Sequence, residues 1–172
     1  MAITKIQSES LNLADTYAFT GTVTGAGESN SPYFLSTQSS GQSISNETTT
    51  KIIYDVNSYN VGGGTYDTTN SRWTPGVAGR YLISAWVFIK YAVSSGQRID
   101  MKLYKNGSGH YETRWRETGD LDGANTAFVQ AIITLGTTDY VEAYMWQNSG
   151  ATRSMDNNTF YTYFNGFKIA NT

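Results

Sequence analysis

The segment Gly79-Arg80-Tyr81-Leu82-Ile83-Ser84-Ala85-Trp86-Val87-Phe88-Ile89 is apolar on both of its alternating faces. Tyr81, Ile83, Ala85, Val87 and Ile89 fall on one parity; Leu82, Trp86 and Phe88 fall on the other. Successive side chains of a strand point to opposite faces, so a strand with one wet face should alternate apolar and polar residues. Here both faces need a cover. The end of the chain repeats the pattern over 159–170, with Phe160 and Phe164 on one parity and Tyr161, Tyr163, Phe167 and Ile169 on the other. Two coverings are available: loops folded over the outside of a thick single-chain core, or neighbouring subunits packed on one parity. A soluble monomer seldom exposes a large contiguous apolar patch, which favours the second. Trp86, Phe88, Phe160 and Phe164 are therefore expected in the core or between subunits. The pattern leaves open which parity faces a symmetry axis.

The other strands follow from turn chemistry. Strand-like runs lie near 33–38, 50–57, 71–75, 79–91, 97–105, 110–117, 125–135, 139–147 and 159–170, a spacing typical of an all-β sandwich. Between them stand Gly62-Gly63-Gly64, Pro75-Gly76, Asn106-Gly107, Gly119-Asp120, Gly136-Thr137 and Asn148-Ser149-Gly150. Tyr, Thr, Ser, Asn and Gly abound while Lys and Glu are few, which favours strands and turns over helices. Eight or more short strands without helices predict an antiparallel two-sheet jelly roll. A chain of 172 residues is one domain by length and can bury enough surface to fold without staples.

Composition also excludes several chemistries. Without cysteine there is neither a disulfide framework nor a Cys-based zinc site. A net charge of −2 gives no general attraction to nucleic acid or anionic lipid, and no stretch approaches the ~20 apolar residues of a membrane span. Met1-Ala2-Ile3-Thr4-Lys5 lacks the apolar run of a secretory signal, so synthesis in soluble form in the cytoplasm is expected.

A ladder of Tyr54, Asn60, Tyr66, Trp73, Gly79, Tyr81 and Ile83 runs into the long strand, with six residues between Tyr66 and Trp73 and five between Trp73 and Gly79. This spacing resembles the signature of the globular head of complement component one, subcomponent q, whose fold is shared with the tumour necrosis factor family. The Asn60 to Tyr66 interval is one residue longer than in that family, beside the glycine run, and Ala85 stands where an aromatic is usual. Lys105-Asn106-Gly107 looks like the family's hairpin turn. Leu135-Gly136-Thr137-Thr138-Asp139-Tyr140-Val141 resembles its Leu-x-x-Gly-Asp-x-Val element, and Phe164-Asn165-Gly166-Phe167-Lys168-Ile169 resembles its closing strand. The resemblance spans residues 33 to 170 and implies a jelly-roll head that assembles as a closed homotrimer.

Residues 1–30 read as a separate attachment or strand-exchange segment ahead of a head domain at 31–172. The alternation in Phe19-Thr20-Gly21-Thr22-Val23-Thr24-Gly25 is strand-like but too small to build its own core. Together with Ala2-Ile3-Thr4-Lys5-Ile6-Gln7 it resembles the starts of bacteriophage tail-fibre and other virion-surface proteins.

Candidate chemistry is sparse. His110 is the only histidine, which rules out a multi-His metal site, and no Gly-x-Ser-x-Gly motif accompanies it. A glycan-hydrolysing acid pair would have to come from Asp100, Glu112, Glu117, Asp120, Asp122, Asp139 or Glu142, and no motif selects two of them. Asp120-Leu121-Asp122-Gly123-Ala124-Asn125 lacks the ligand pattern of an EF-hand; a solvated turn is the favoured reading, with calcium the alternative because some members of the resembled family carry it near the trimer apex. No other cofactor is expected. Glu112, Arg114, Arg116 and Glu117 alternate with Tyr111, Thr113 and Trp115 along the strand, giving one charged and one mostly aromatic face, with the charged one either the solvated side of an edge strand or a surface that could hold a polar glycan. Gly62-Gly63-Gly64 reads as a hairpin insertion, not a phosphate loop.

These readings predict a non-enzymatic, homotrimeric structural protein on a bacteriophage surface. It would be a fibre, appendage or tail protein with a host-recognition head, bound to other virion proteins through residues 1–30 and touching a host-surface glycan or protein. A capsid decoration protein and a soluble bacterial carbohydrate- or protein-binding trimer are the alternatives.

Overall fold

The computed structural model describes residues 30–90, 94–118 and 125–172. Along them run β1 (Tyr33–Thr37), β2 (Ser43–Ile44), β3 (Thr50–Lys51), β4 (Val56–Val61), β5 (Thr65–Asp67), β6 (Arg72–Thr74) and β7 (Gly79–Ile89). There follow β8 (Arg98–Lys105), β9 (Ser108–Arg116), β10 (Asn125–Leu135), β11 (Val141–Gln147), β12 (Arg153–Asp156) and β13 (Tyr163–Ala170). The described residues contain no helix. All strand pairs are antiparallel and form two sheets, one ordered β2-β12-β7-β13-β1-β4 with β10 on β7, the other β5-β6-β11-β8-β9 with β3 on β11. The protein is the expected all-β, antiparallel two-sheet jelly-roll sandwich.

The parity of β7 decides what each face does. Tyr81, Ile83, Ala85, Val87 and Ile89 point between the sheets and are fully buried, while Leu82, Trp86 and Phe88 stand half-buried on the outside. Opposite them, Ile99, Met101 and Leu103 of β8 and Val141, Ala143 and Met145 of β11 close the core.

One end of that core is aromatic. Phe34 stacks on Trp73 with ring centroids 4.5 Å apart and meets the Phe164 edge at 4.9 Å, and Trp73 turns its edge to Tyr81 at 5.3 Å. Each buried polar tip finds a partner, as burial requires. The Tyr66 hydroxyl donates to the Tyr54 carbonyl at 2.9 Å, the Tyr54 hydroxyl to the Trp86 carbonyl at 3.0 Å, and the Trp73 indole to Asn60 Oδ1 at 3.2 Å. Asn60 in turn donates to the Gly64 carbonyl at 2.6 Å. Tyr54, Asn60, Tyr66, Trp73 and Tyr81 are thus one packed and hydrogen-bonded unit. Gly166 faces Ile83 across β13 and β7, where an added Cβ would lie 2.5 Å from Ile83 Cδ1 and 2.9 Å from Phe34. Phe167 points outward and is exposed.

Three sequence expectations are corrected. The run 50–57 is two strands in different sheets: β3 pairs with β11 and β4 with β1, and the chain crosses between them while burying Ile52 and Tyr54. The glycine run is likewise a crossing from β4 to β5 and not a hairpin. Gly62 and Gly63 take φ values of 87° and 90°, which glycine reaches without steric cost. Finally, the last strand begins at Tyr163. Asn158 closes a turn by accepting from the backbone amides of Phe160, Tyr161 and Thr162, so Phe160 does not share a strand face with Phe164.

Two resembled motifs interlock. Asn106 and Gly107 adopt φ values of 52° and 77° in the β8–β9 hairpin, the two left-handed positions of a type I′ turn. Asn106 donates to Asp139 Oδ1 at 2.7 Å and accepts the Tyr140 amide at 2.9 Å, which ties this hairpin to the β10–β11 turn. Asp139 also accepts the Gly136 amide at 2.8 Å and lies 2.9 Å from Lys105 Nζ. The Asn106 side chain, then Lys105, hold its carboxyl down at about 2.

Candidate interaction surfaces

The outer face of the seven-stranded sheet is built of cross-strand rows. One row runs Val61, Tyr33, Phe167, Leu82 and Ile132 across five strands; another runs Tyr163, Trp86 and Phe128. Between them lies a row of Tyr59, Leu35, Asn165, Ser84 and Gln130, in which Gln130 donates to the Ser84 hydroxyl at 2.7 Å. Two apolar bands therefore flank a mixed one. Much of this surface is bare in the single chain: Tyr59 is 59% exposed, Ile132 56% and Phe128 44%.

A second apolar surface opens where the sandwich ends. β9 and β10 are the outer strands of the two sheets at this edge, and between them a cleft of about 320 Å³ is lined by Ile99, Met101, Trp115, Ala127 and Phe128 among others. Phe128 belongs to both surfaces.

The outer face of the six-stranded sheet is of a different kind. Arg98, Asp100, Lys102 and Tyr104 of β8 point outward, opposite Arg116, Arg114, Glu112 and Gly109 of β9. Asp100 is wholly buried beneath the arginines, with Arg98 3.0 Å from Oδ2 and Arg114 Nε 3.4 Å from Oδ1. Burial pushes its carboxyl up, against the pull of Arg98. The Arg98 guanidinium lies 4.2 Å from the Trp146 ring, and Tyr104 stacks on Tyr144 at 4.0 Å. Glu112 pairs with Lys102 at 3.2 Å and with Arg114 at 2.7 Å.

Of the residues singled out from sequence, Phe164 is fully buried, Trp86 and Phe88 half-buried on the outer face, and Phe160 83% exposed in its turn. Among the candidate acids, Glu142 is buried and paired with Lys51, Asp139 sits in the β10–β11 turn, and Glu117 is buried with its carboxylate accepting the Thr118 amide. His110 is exposed, with its ring edge-on to Tyr111. Among the described residues no group of three or more acidic or histidine side chains could hold a metal ion. Asp120 and Asp122, and residues 1–29 of the expected attachment segment, lie outside the described residues. The reading missed Phe128 and Ile132, although β10 carries the same two-faced signal as β7: Phe128 and Ile132 against Ala127, Val129, Ala131 and Ile133.

No protein-family model matches this sequence, and no curated protein matches it. Solved structures share the fold. The Eiger TNF structure from S. frugiperda aligns with a TM-score of 0.57 at 15% identity, covering 81% of this chain and 92% of that one. The crystal structure of murine APRIL at pH 5.0 aligns with a TM-score of 0.57 at 11% identity, covering 80% of this chain and 98% of that one. The class defined by this geometry is an antiparallel two-sheet jelly roll, the fold of these two solved structures.

Proposed function

We propose that this chain is the recognition head of a non-enzymatic homotrimer on the surface of a bacteriophage particle, in a fibre or tail appendage. The observation that carries the assembly is the double apolar surface: two bands on the seven-stranded sheet and an apolar cleft at the β9/β10 edge that shares Phe128 with one of them. Two unlike patches on one protomer suit a heterologous contact, edge of one copy on face of the next, which closes into a ring when the rotation allows. The number three comes from the resemblance to the complement-type head. Residues 1–30 carry the virion part of the reading, through their likeness to tail-fibre starts and their need for an outside strand partner.

Light scattering of the purified protein should give three times the chain mass, with an interface near or above the ~2,000 Å² at which obligate contacts begin. Mass spectrometry of purified virions, with immunogold labelling, then locates the protein. Label on tails supports the appendage, label over the capsid supports a decoration protein, and absence from particles supports a soluble bacterial binding trimer. Binding without turnover is expected, since His110 is exposed and the acids Asp100, Glu112 and Glu142 are each tied up in ion pairs. Host polysaccharide incubated with the protein should keep its chain length.

A further inference from the structure

If the seven-stranded sheet turns inward in the assembly, the outer face of the six-stranded sheet turns outward, and that face contains a groove. The groove has a volume of about 300 Å³ at the β8–β9 hairpin and is lined by Lys102, Tyr104, Gly109, His110, Tyr111 and Glu112. One wall is the Tyr104 ring, backed by Tyr144. Gly109 lies opposite Tyr104 and leaves the ring uncovered: a Cβ there would sit 3.5 Å from Tyr104 Cε1. An open aromatic wall with an ammonium, an imidazole and a carboxylate around it combines an apolar platform with a few convergent polar groups. A pyranose offers the complement, with C–H groups on its flat face and hydroxyls around its rim.

The stripe beyond the groove selects among sugars. Arg98, Lys102, Arg114 and Arg116 face only Asp100 and Glu112 on β8 and β9, a cationic excess on a chain whose net charge is −2. Arg98 and Arg116 lie directly opposite each other, a like-charge pair that an isolated sheet disfavours. Arg98 is fixed between Trp146 and the buried Asp100, and Arg114 is shared by Asp100 and Glu112. Arg116 has no carboxylate within ion-pair distance among the described residues. We propose that the outer face of β8 and β9 binds an acidic oligosaccharide, one sugar lying against Tyr104 in the groove and a carboxylate several sugars further along the strands held by Arg116 and Arg114, whose β8 partners Arg98 and Asp100 lie six and four residues from Tyr104. Guanidinium groups bind carboxylates through paired N–H donors, so the arrangement favours uronic or sialic residues over neutral hexoses. This inference rests on the recognition-head reading for its outward orientation.

The test is calorimetric titration of the full chain with oligogalacturonate, oligomannuronate, oligosialic acid and neutral malto-oligosaccharide, with light scattering on the same samples. At least one acidic oligosaccharide should bind about tenfold more tightly than the neutral one and weaken as salt rises from about 0.05 to 0.3 M. Tyr104→Ala should lower the affinity about tenfold. Gly109→Val, which fills the groove floor and removes no side chain, should do the same, and Arg116→Gln should flatten the salt dependence. A trimer that binds none of the acidic probes overturns this site and leaves the head reading standing, whereas a monomer that binds them with these variant effects overturns the head reading alone. Equal affinity for neutral sugar, or affinity unchanged by both Tyr104→Ala and Gly109→Val, also overturns the site.

Discussion

The Trp86 indole lies nearly flat on the Phe128 ring across the β7–β10 pair, with centroids 4.4 Å apart and planes 13° from parallel, and Tyr163 stacks on its other flank at 5.9 Å. This stack stands outside the sandwich. Phe128 is 44% exposed although its cross-strand partner is the largest apolar side chain on the sheet. Removing such a surface from water is worth roughly 25 cal/mol per Å², and a single chain leaves that gain unrealised. Trp86→Lys and Ile132→Lys should therefore leave the protomer fold intact and block assembly, because each puts a charge into the shared surface and none into the core. The expected result is a soluble monomer by light scattering with an unchanged β-sheet circular dichroism spectrum. A normal trimer from both variants would place the interface elsewhere.

Phe164 behaves differently. It is fully buried, with Phe34 at 4.9 Å and Tyr54 at 5.5 Å between ring centroids. Phe164→Ala should destabilise the protomer by about 3–5 kcal/mol, the usual range for emptying a buried aromatic site. Urea denaturation of a monomeric Trp86→Lys background would measure this without the assembly contribution. A loss below about 1 kcal/mol would mean that the aromatic end of the core relaxes to fill the hole.

Asp139 sets an acid limit on the joint between the two turns. Its folded-state carboxyl is held at about 2, below the ~3.9 of an unfolded chain. The group therefore contributes stability that is fully present above about pH 4 and is lost as the pH falls toward 2. Asp139→Asn should lower the melting temperature at neutral pH and flatten its decline over that acid window. Parallel pH profiles for variant and parent would show that the Asn106 and Gly136 hydrogen bonds do not depend on the charge.

The proposed attachment role of residues 1–30 gives a fourth test. The aromatic core and both apolar surfaces lie within residues 33–167, so a chain starting at residue 31 should still assemble with its normal mass and melting temperature. It should fail to enter particles that lack the full-length protein. Collapse to monomers would mean that residues 1–30 belong to the assembly, and normal incorporation would mean that the head docks by itself.

Much of the sandwich was legible because it is local. Apolar runs bounded by turn residues gave β7, β10 and β11 within a few residues, and Asn106-Gly107 declared its hairpin through the two positive φ values such a turn demands. The ladder from Tyr54 to Ile83 was visible as spacing. Its packing was not: Tyr66 donates to the Tyr54 carbonyl and Trp73 to Asn60, two pairs joined through the Phe34 and Phe164 rings at the aromatic end of the core. Short strands such as β2, β5 and β12 carry too few residues to show a period, and the crossings at residues 52–55 and 62–64 look like continuous strand or hairpin until the partners are known.

The sequence by itself determined that β7 is apolar on both faces; the tertiary structure decided which side meets the opposing sheet and which stays outside. Parity is a relation within one strand, whereas inside and outside depend on where the second sheet lies. The same distinction separates Phe160 from Phe164, four residues apart and chemically identical: Asn158 bends the chain before Phe160 can join the strand, and only Phe164 reaches the core. It also sets the partners of the charged stripe on β9. Arg98, Arg114 and Asp100 come from two strands whose register alone brings them together, and that register follows from the hairpin turn and from the apolar parity of Ile99, Met101 and Leu103 packed against β11.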